Sequence, residues 1–186
     1  MSLPKYKYLL SYRYAEIICD LNVVFCKRHI DKRSRTFDQM IQAARSGKQN
    51  IVEGVIDGRT STKIELKLLG VAMGSFEELL ADYEDFLRQK GLSLWSKDDI
   101  RIASFRKRAF QLSSLSNLSD LGELKEKPKL PADPETGANL LLTLCHQVTY
   151  LLSKQITAAE EKFLNEGGYS ENLLRKRLDR RTSQNQ

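Results

Sequence analysis

The residue types that most often do chemistry are few in this chain and badly spaced for it. There are two histidines, His29 and His146, and three cysteines, Cys19, Cys26 and Cys145. An odd cysteine count without a CxxC pair fits neither a disulfide framework nor a zinc site. Cys19 and Cys26 fall on one helix face two turns apart, too far to bond to each other. A di-iron bundle needs Glu-x-x-His pairs, but the residues three before the histidines are Cys26 and Thr143. His146 and Cys145 are adjacent, so on a helix they point about 100° apart and do not chelate one ion. His29, among Lys27 and Arg28, is expected at the surface. Phosphate-binding glycine loops, HExxH and GxSxG are absent. The carboxylates Glu77, Glu78, Asp82, Glu84 and Asp85 read as a solvated acidic face rather than a metal site. The chain is therefore expected to be non-enzymatic, with no catalytic residue, cofactor or metal.

The chemistry that remains is charge. The net charge is +6 over 186 residues, and it is unevenly placed. Residues 1–60 hold 11 Lys/Arg against 6 Asp/Glu, residues 61–127 are balanced, residues 128–167 are net −2, and residues 168–186 are net +3. One basic focus is Arg28, Lys32, Arg33 and Arg35 with Lys27, and it extends to Arg45 and Lys48. A second is Arg175, Lys176, Arg177, Arg180 and Arg181. Arg106, Lys107 and Arg108 form a smaller third. Several cations on one surface bind polyanions in a salt-sensitive, sequence-poor way, because each neutralised phosphate releases counterions. Oligomerisation would multiply such a patch. Solvated helix faces are the simpler alternative for each focus alone.

Helices must position these charges. Gly and Pro are sparse, 10 and 4, and alternating β-branched runs with Asn-Gly turns are missing. Apolar residues recurring at three and four predict helix 1 from about Tyr12 to Ile30, helix 2 from Thr36 to Glu53 and helix 3 from Lys63 to Lys90. Helix 4 is predicted from after Ser96 to about Asn117. Gly54 and Gly91 are expected as C-caps, Thr62 with Glu65 as a capping box, and Ser96 as an N-cap. Gly70 and Gly74 suggest close approach of another helix. Three of the four prolines lie in 122–134, which reads as a linker. A fifth helix is expected over about Glu135–Asn165, its stripe including Leu141, Leu144, Val148, Leu151 and Phe163. That stripe must bury against either the bundle or a partner chain. A short helix from Ser170 to about Arg180 and a polar tail follow. The expected division is a four-helix bundle over 1–121, the linker 122–134, and a C-terminal helical suffix with basic tail over 135–186.

Residues 42–54 carry the clearest packing signal. Ala43, Ala44, Ser46 and Gly47 make a tight helix seam, and Asn50 and Glu53 on that seam would need hydrogen-bond partners. No N-terminal apolar segment resembles a signal peptide. The most apolar run, Ala138 to Leu152, is too short to span a bilayer. A cytoplasmic location and no membrane contact are expected.

The run Ala43-Ala44-Arg45-Ser46-Gly47-Lys48-Gln49-Asn50-Ile51-Val52-Glu53-Gly54 resembles the helix 2 signature of a family of small bacterial four-helix-bundle proteins. Gly74-Ser75-Phe76-Glu77-Glu78-Leu79 resembles that family's helix 3 motif. The family includes proteins encoded in intervening sequences of bacterial large-subunit ribosomal RNA genes and the accessory variability determinant of diversity-generating retroelements. The resemblance covers about residues 12–118. Residues 135–181, with Phe163-Leu164-Asn165-Glu166-Gly167-Gly168, resemble a suffix domain found on some members. The resemblance implies an all-α, up-down-up-down four-helix bundle with a C-terminal extension and a ring-like homo-oligomer, a pentamer being favoured. It also implies binding of RNA or DNA and a reverse transcriptase partner. The alternative expectation is a protein-interaction scaffold in which Leu144, Val148 and Leu151 lie in an interface.

Overall fold

The computed structural model describes residues 4–113 and 129–184. Among these residues the protein is all-helical. A 3-10 turn, Lys5–Tyr8, leads into α1, Leu10–His29. Then come α2, Arg35–Asp57; α3, Thr62–Lys90; α4, Ile100–Ser113; α5, Pro134–Glu166; and α6, Tyr169–Gln184. The predicted last residues of helix 4 and most of the predicted linker lie outside the described residues. No helix among the described residues is long and apolar enough to cross a membrane.

α1, α2, α3 and the first half of α5 share one hydrophobic core. Ile18 and Phe25 of α1, Met40 and Ile51 of α2, Phe76 and Tyr83 of α3, and Leu141 and Leu152 of α5 are all fully buried. The stripe of α5 is thus covered by the bundle as far as Leu152, while Phe163, expected on the same stripe, is 40% exposed. Leu144 and Val148, expected in an intermolecular interface under the scaffold reading, are buried inside the chain instead. α4 lies on the outside, burying Ile102 and Ala109 against α1 and α5.

The small-residue seam is where α2 meets α3. Ala43, Ala44, Gly47 and Gly54 are buried, and a Cβ on Gly47 would lie 2.5 Å from Cε2 of the buried Phe76 ring. The close approach therefore depends on hydrogen in place of a side chain. Ser75 Oγ donates to Ser46 Oγ across the seam at 3.1 Å, and Asn50 Nδ2 donates to Ser46 O and Oγ. Glu53 is exposed: it sits on the face of α2 opposite Met40, Gly47 and Ile51, so it needs no seam partner.

Several helix ends differ from expectation. Gly54 does not cap α2; the helix continues to Asp57 and Gly58 is the C-cap. Gly54 instead lets α2 lie against Leu68 and Leu69. The N-cap of α3 is Ser61, whose Oγ accepts from Ile64 N–H at 3.3 Å, so Thr62 is already helical. At α4 the capping carboxylate is Asp99, which accepts from Arg101 N–H at 2.8 Å, and Ser96 only receives Asp98 N–H in the preceding turn. Gly91 closes α3 as expected, at φ 65°. Among the described residues Gly70 and Gly74 face open space, with nothing within 4 Å of an added Cβ, so no described helix approaches there.

Candidate nucleic-acid interface

The α1–α2 turn is short and internally bonded. The Asp31 carboxylate accepts the Arg33 N–H at 2.9 Å, and the Asp31 carbonyl accepts the Ser34 hydroxyl at 2.8 Å. Ser34 then caps α2 by accepting from Phe37 N–H. These bonds hold Lys32, Arg33 and Arg35 at the tip, all exposed. Among the described residues none of the three side chains takes part in an ion pair; the two pairs present are Arg88–Asp85 and Arg101–Asp99.

Arg28 differs from its neighbours. Its guanidinium donates to the carbonyls of Leu130 and Pro131 at 3.3 and 3.5 Å, tying the lead-in of α5 to the end of α1. It holds the framework under the patch as well as adding charge. His29 is half-buried rather than on the surface. Its ring lies 5.0 Å from Phe25 and 6.3 Å from Phe86, and Nε2 has no partner. Burial, with the Arg28 charge, pulls its pKa below the ordinary histidine value, against the smaller opposing pull of Asp133.

The remaining predicted cations are not gathered here. Arg45 and Lys48 lie 10 and 13 residues beyond Arg35 on α2, roughly 15–20 Å along the axis. Lys48 is half-buried and close enough to act on Cys19, whose thiol burial nonetheless pushes up to about 11. Arg175, Lys176, Arg177, Arg180 and Arg181 are exposed on α6. α5 begins where Gly137 packs by Phe25 and passes Ser11, whose hydroxyl donates to Gln155 Oε1, before α6 starts. The start of α6 is therefore separated from the first focus by the run of α5 from Gly137 to Glu166, about 43 Å. Of the third focus, Arg106 and Lys107 are exposed, and the Arg108 side chain lies outside the described residues.

Two depressions were not foreseen, because each needs elements brought together from distant sequence. A cleft of about 140 Å³ is lined by Glu84, Trp95, Lys97, Arg106, Asn139 and His146 among others. Its wall is a strap in which Trp95 Nε1 donates to Glu135 Oε1 at 2.7 Å, Ser93 N–H donates to Glu135 Oε2, Trp95 N–H donates to Asn139 Oδ1 and Asn139 Nδ2 donates to the Ser93 carbonyl. An open groove of about 540 Å³ runs along the α2–α3 seam, with Glu78 and Asp82 on its rim. Burial, then Asp85 and Glu78, raise the Asp82 pKa. The cysteines are free; Cys26 and Cys145 are buried.

No family model, curated protein or solved structure matches the chain.

Proposed function

We propose that this chain is a non-enzymatic, homo-oligomeric helical-bundle protein that binds nucleic acid, RNA above all, through basic surfaces. On this reading the fold is an up-down-up-down four-helix bundle with a C-terminal helical extension, the oligomer is a ring with a pentamer favoured, and the location is cytoplasmic. The family relationship to ribosomal RNA intervening-sequence proteins and retroelement accessory proteins rests on the motifs at 43–54 and 74–79. A reverse transcriptase or another RNA-handling protein would be the partner.

One observation carries the reading: Lys32, Arg33 and Arg35 project from a short bonded turn with no carboxylate partner among the described residues. A charge held this way is already organised and undischarged, so little ordering opposes contact with phosphates. The test is a salt titration of binding to a labelled single-stranded RNA, for the parent and for K32E/R33E/R35E. Arg28 is left alone because it also holds the α5 lead-in. Each single-strand phosphate contact contributes roughly −0.7 to the slope of log K against log salt. Losing three contacts should flatten that slope by about 2 and weaken binding at low salt. An unchanged slope and affinity would remove the turn from the contact surface.

A further inference from the structure

We infer that α6 of one copy docks into the α2–α3 groove of a second copy, making a head-to-tail contact between subunits. Among the described side chains of α6 none is buried in its own chain, and only Asn172 is half-buried. Leu173, Leu174 and Leu178 are 47%, 56% and 52% exposed. Leu174, Arg177, Leu178 and Arg181 are spaced at three and four, so they share one face. Phosphates would account for the arginines of that face but not for the leucines. A face of alternating apolar and cationic residues calls for a surface with small packing positions and carboxylates at matching intervals.

The groove along the seam has that form. Ala43, Ser46 and Ser75 give it a shallow floor of small side chains, and Glu78 and Asp82 stand on one side one helical turn apart. Arg177 and Arg181 have the same one-turn interval, about 6 Å. No ion pair among the described residues uses Glu78, Asp82, Arg177 or Arg181. Two rows of opposite charge with equal spacing can pair in register, while Leu174 and Leu178 sit over the small residues.

The occupant is a second copy because the chain's own α6 falls short. Cys145 of α5 adjoins His146, which lines the same cleft as Glu84 of α3, so it lies near the level of Glu84. From Cys145 to the hinge glycine Gly167 is 22 residues, about 33 Å of helix. α6 has 16 residues, about 24 Å. Folded straight back, Arg181, 14 residues past Gly167, would stop about 12 Å short of that level, so Arg177 and Arg181 would not come into register with Glu78 and Asp82. A contact made by two different surfaces of one protein is heterologous, and it closes into a ring when the rotation allows.

The experiment is a charge swap read by mass in solution, on the full chain. The parent should associate, and E78K/D82K and R177E/R181E should each fall to the monomer mass. An equimolar mixture of the two variants should regain the parent's mass, because each reversed groove then meets a reversed helix. That recovery also shows that both variants are folded. A monomeric parent at 100-micromolar concentration, parent-like mass in either variant, or a mixture that stays monomeric would overturn the inference. Loss of RNA binding by R177E/R181E at unchanged mass would likewise overturn it, assigning α6 to nucleic acid. E78K/D82K leaves the α1–α2 turn untouched, so a failure here is separable from a failure of the nucleic-acid reading.

Discussion

The α2–α3 seam makes a prediction whose sign is set by a single distance. Ordinarily Gly→Ala inside a helix is stabilising by about 1 kcal/mol, through reduced freedom of the unfolded chain. At Gly47 the new methyl would lie 2.5, 2.7 and 3.0 Å from three carbons of the Phe76 ring. Comfortable carbon contacts are about 3.5–4.0 Å, so the ring or the helix must give by roughly 1 Å. Phe76 is fully buried, and overpacking of this kind costs about 1–3 kcal/mol, the upper end applying where the neighbour is held on all sides. Gly47→Ala should thus be destabilising by about 1–2 kcal/mol net. Gly74→Ala is the internal control. With nothing within 4 Å of its Cβ, it should be stabilising by about 0.5–1 kcal/mol. Thermal melts followed by circular dichroism should lower the midpoint by about 4 °C for the first and raise it by about 2 °C for the second, at 2–4 °C per kcal/mol for a chain of this size. Phe76→Leu introduced with Gly47→Ala should return part of the loss, as coupled neighbours do. A Gly47→Ala protein as stable as its parent would show that the helices are not pressed together here, and the seam argument would fail with it.

Other consequences are read more simply. Asn22→Ala removes the acceptor of the Tyr83 hydroxyl at 2.6 Å and the donor to Met40 O at 2.9 Å, all buried. Stranding those groups should be destabilising by about 3 kcal/mol in urea unfolding, and a loss under 1 kcal/mol would contradict the network. His29 has a pKa lowered in the folded state by burial and by Arg28, so the unfolded chain binds the proton more readily. Its contribution is intact above about pH 6.5, the ordinary histidine value, and declines as pH falls through that value toward the folded pKa. His29→Phe should flatten the stability profile between pH 7 and 5 relative to the parent; parallel profiles would refute this. Trp95 is the only tryptophan, and its indole N–H donates to Glu135. Glu135→Ala should shift its fluorescence emission to longer wavelength, and an unmoved spectrum would mean the strap does not depend on that carboxylate.

The helices were legible because apolar spacing is a direct consequence of burying one stripe; the predicted stripes of α1 and α3 are buried or half-buried, whereas that of α5 is buried only as far as Leu152 and ends on an exposed Phe163. Where the reading failed, the failing step was the face assigned to a residue. Gly70 and Gly74 suggest a contact because they are small, yet they lie about 100–180° around α3 from Leu69, Phe76 and Tyr83. That angle was available in the sequence. His29 continues the spacing Ile18, Asn22, Phe25, which points it inward despite its basic neighbours. Glu53 lies well around α2 from Met40, Ala44, Gly47 and Ile51. Gly54 was taken for a helix end because glycine usually marks one, and only the position of Leu68 and Leu69 on another helix explains why it is internal. The patch at 28–35 was found as a charge cluster, but the role of Arg28 in holding Leu130 and Pro131 depends on a contact across 102 residues that no local pattern carries. The same holds for the groove and the cleft, whose walls come from separate helices.

The length of α5 bears on how the two basic regions relate. At 33 residues it extends about 50 Å, against about 30 Å for α1. Its last buried residue is Leu152; beyond it Gln155, Ile156 and Ala159 are half-buried and the other residues to Glu166 are exposed. A helix that outlasts the body it packs on is an arm, and here it ends at a positive-φ glycine leading into a second exposed helix. If that arm reaches the groove of the next subunit, every subunit is related to its neighbour by the same rotation. Each α1–α2 turn would then recur at one height around the assembly, and the three bare cations of a single turn would become a repeated basic rim. A rim binds a flexible polyanion far better than one turn does, because contacts after the first are made at high effective concentration. The arm and the turn, far apart in one copy, would thereby serve a single purpose in the assembly.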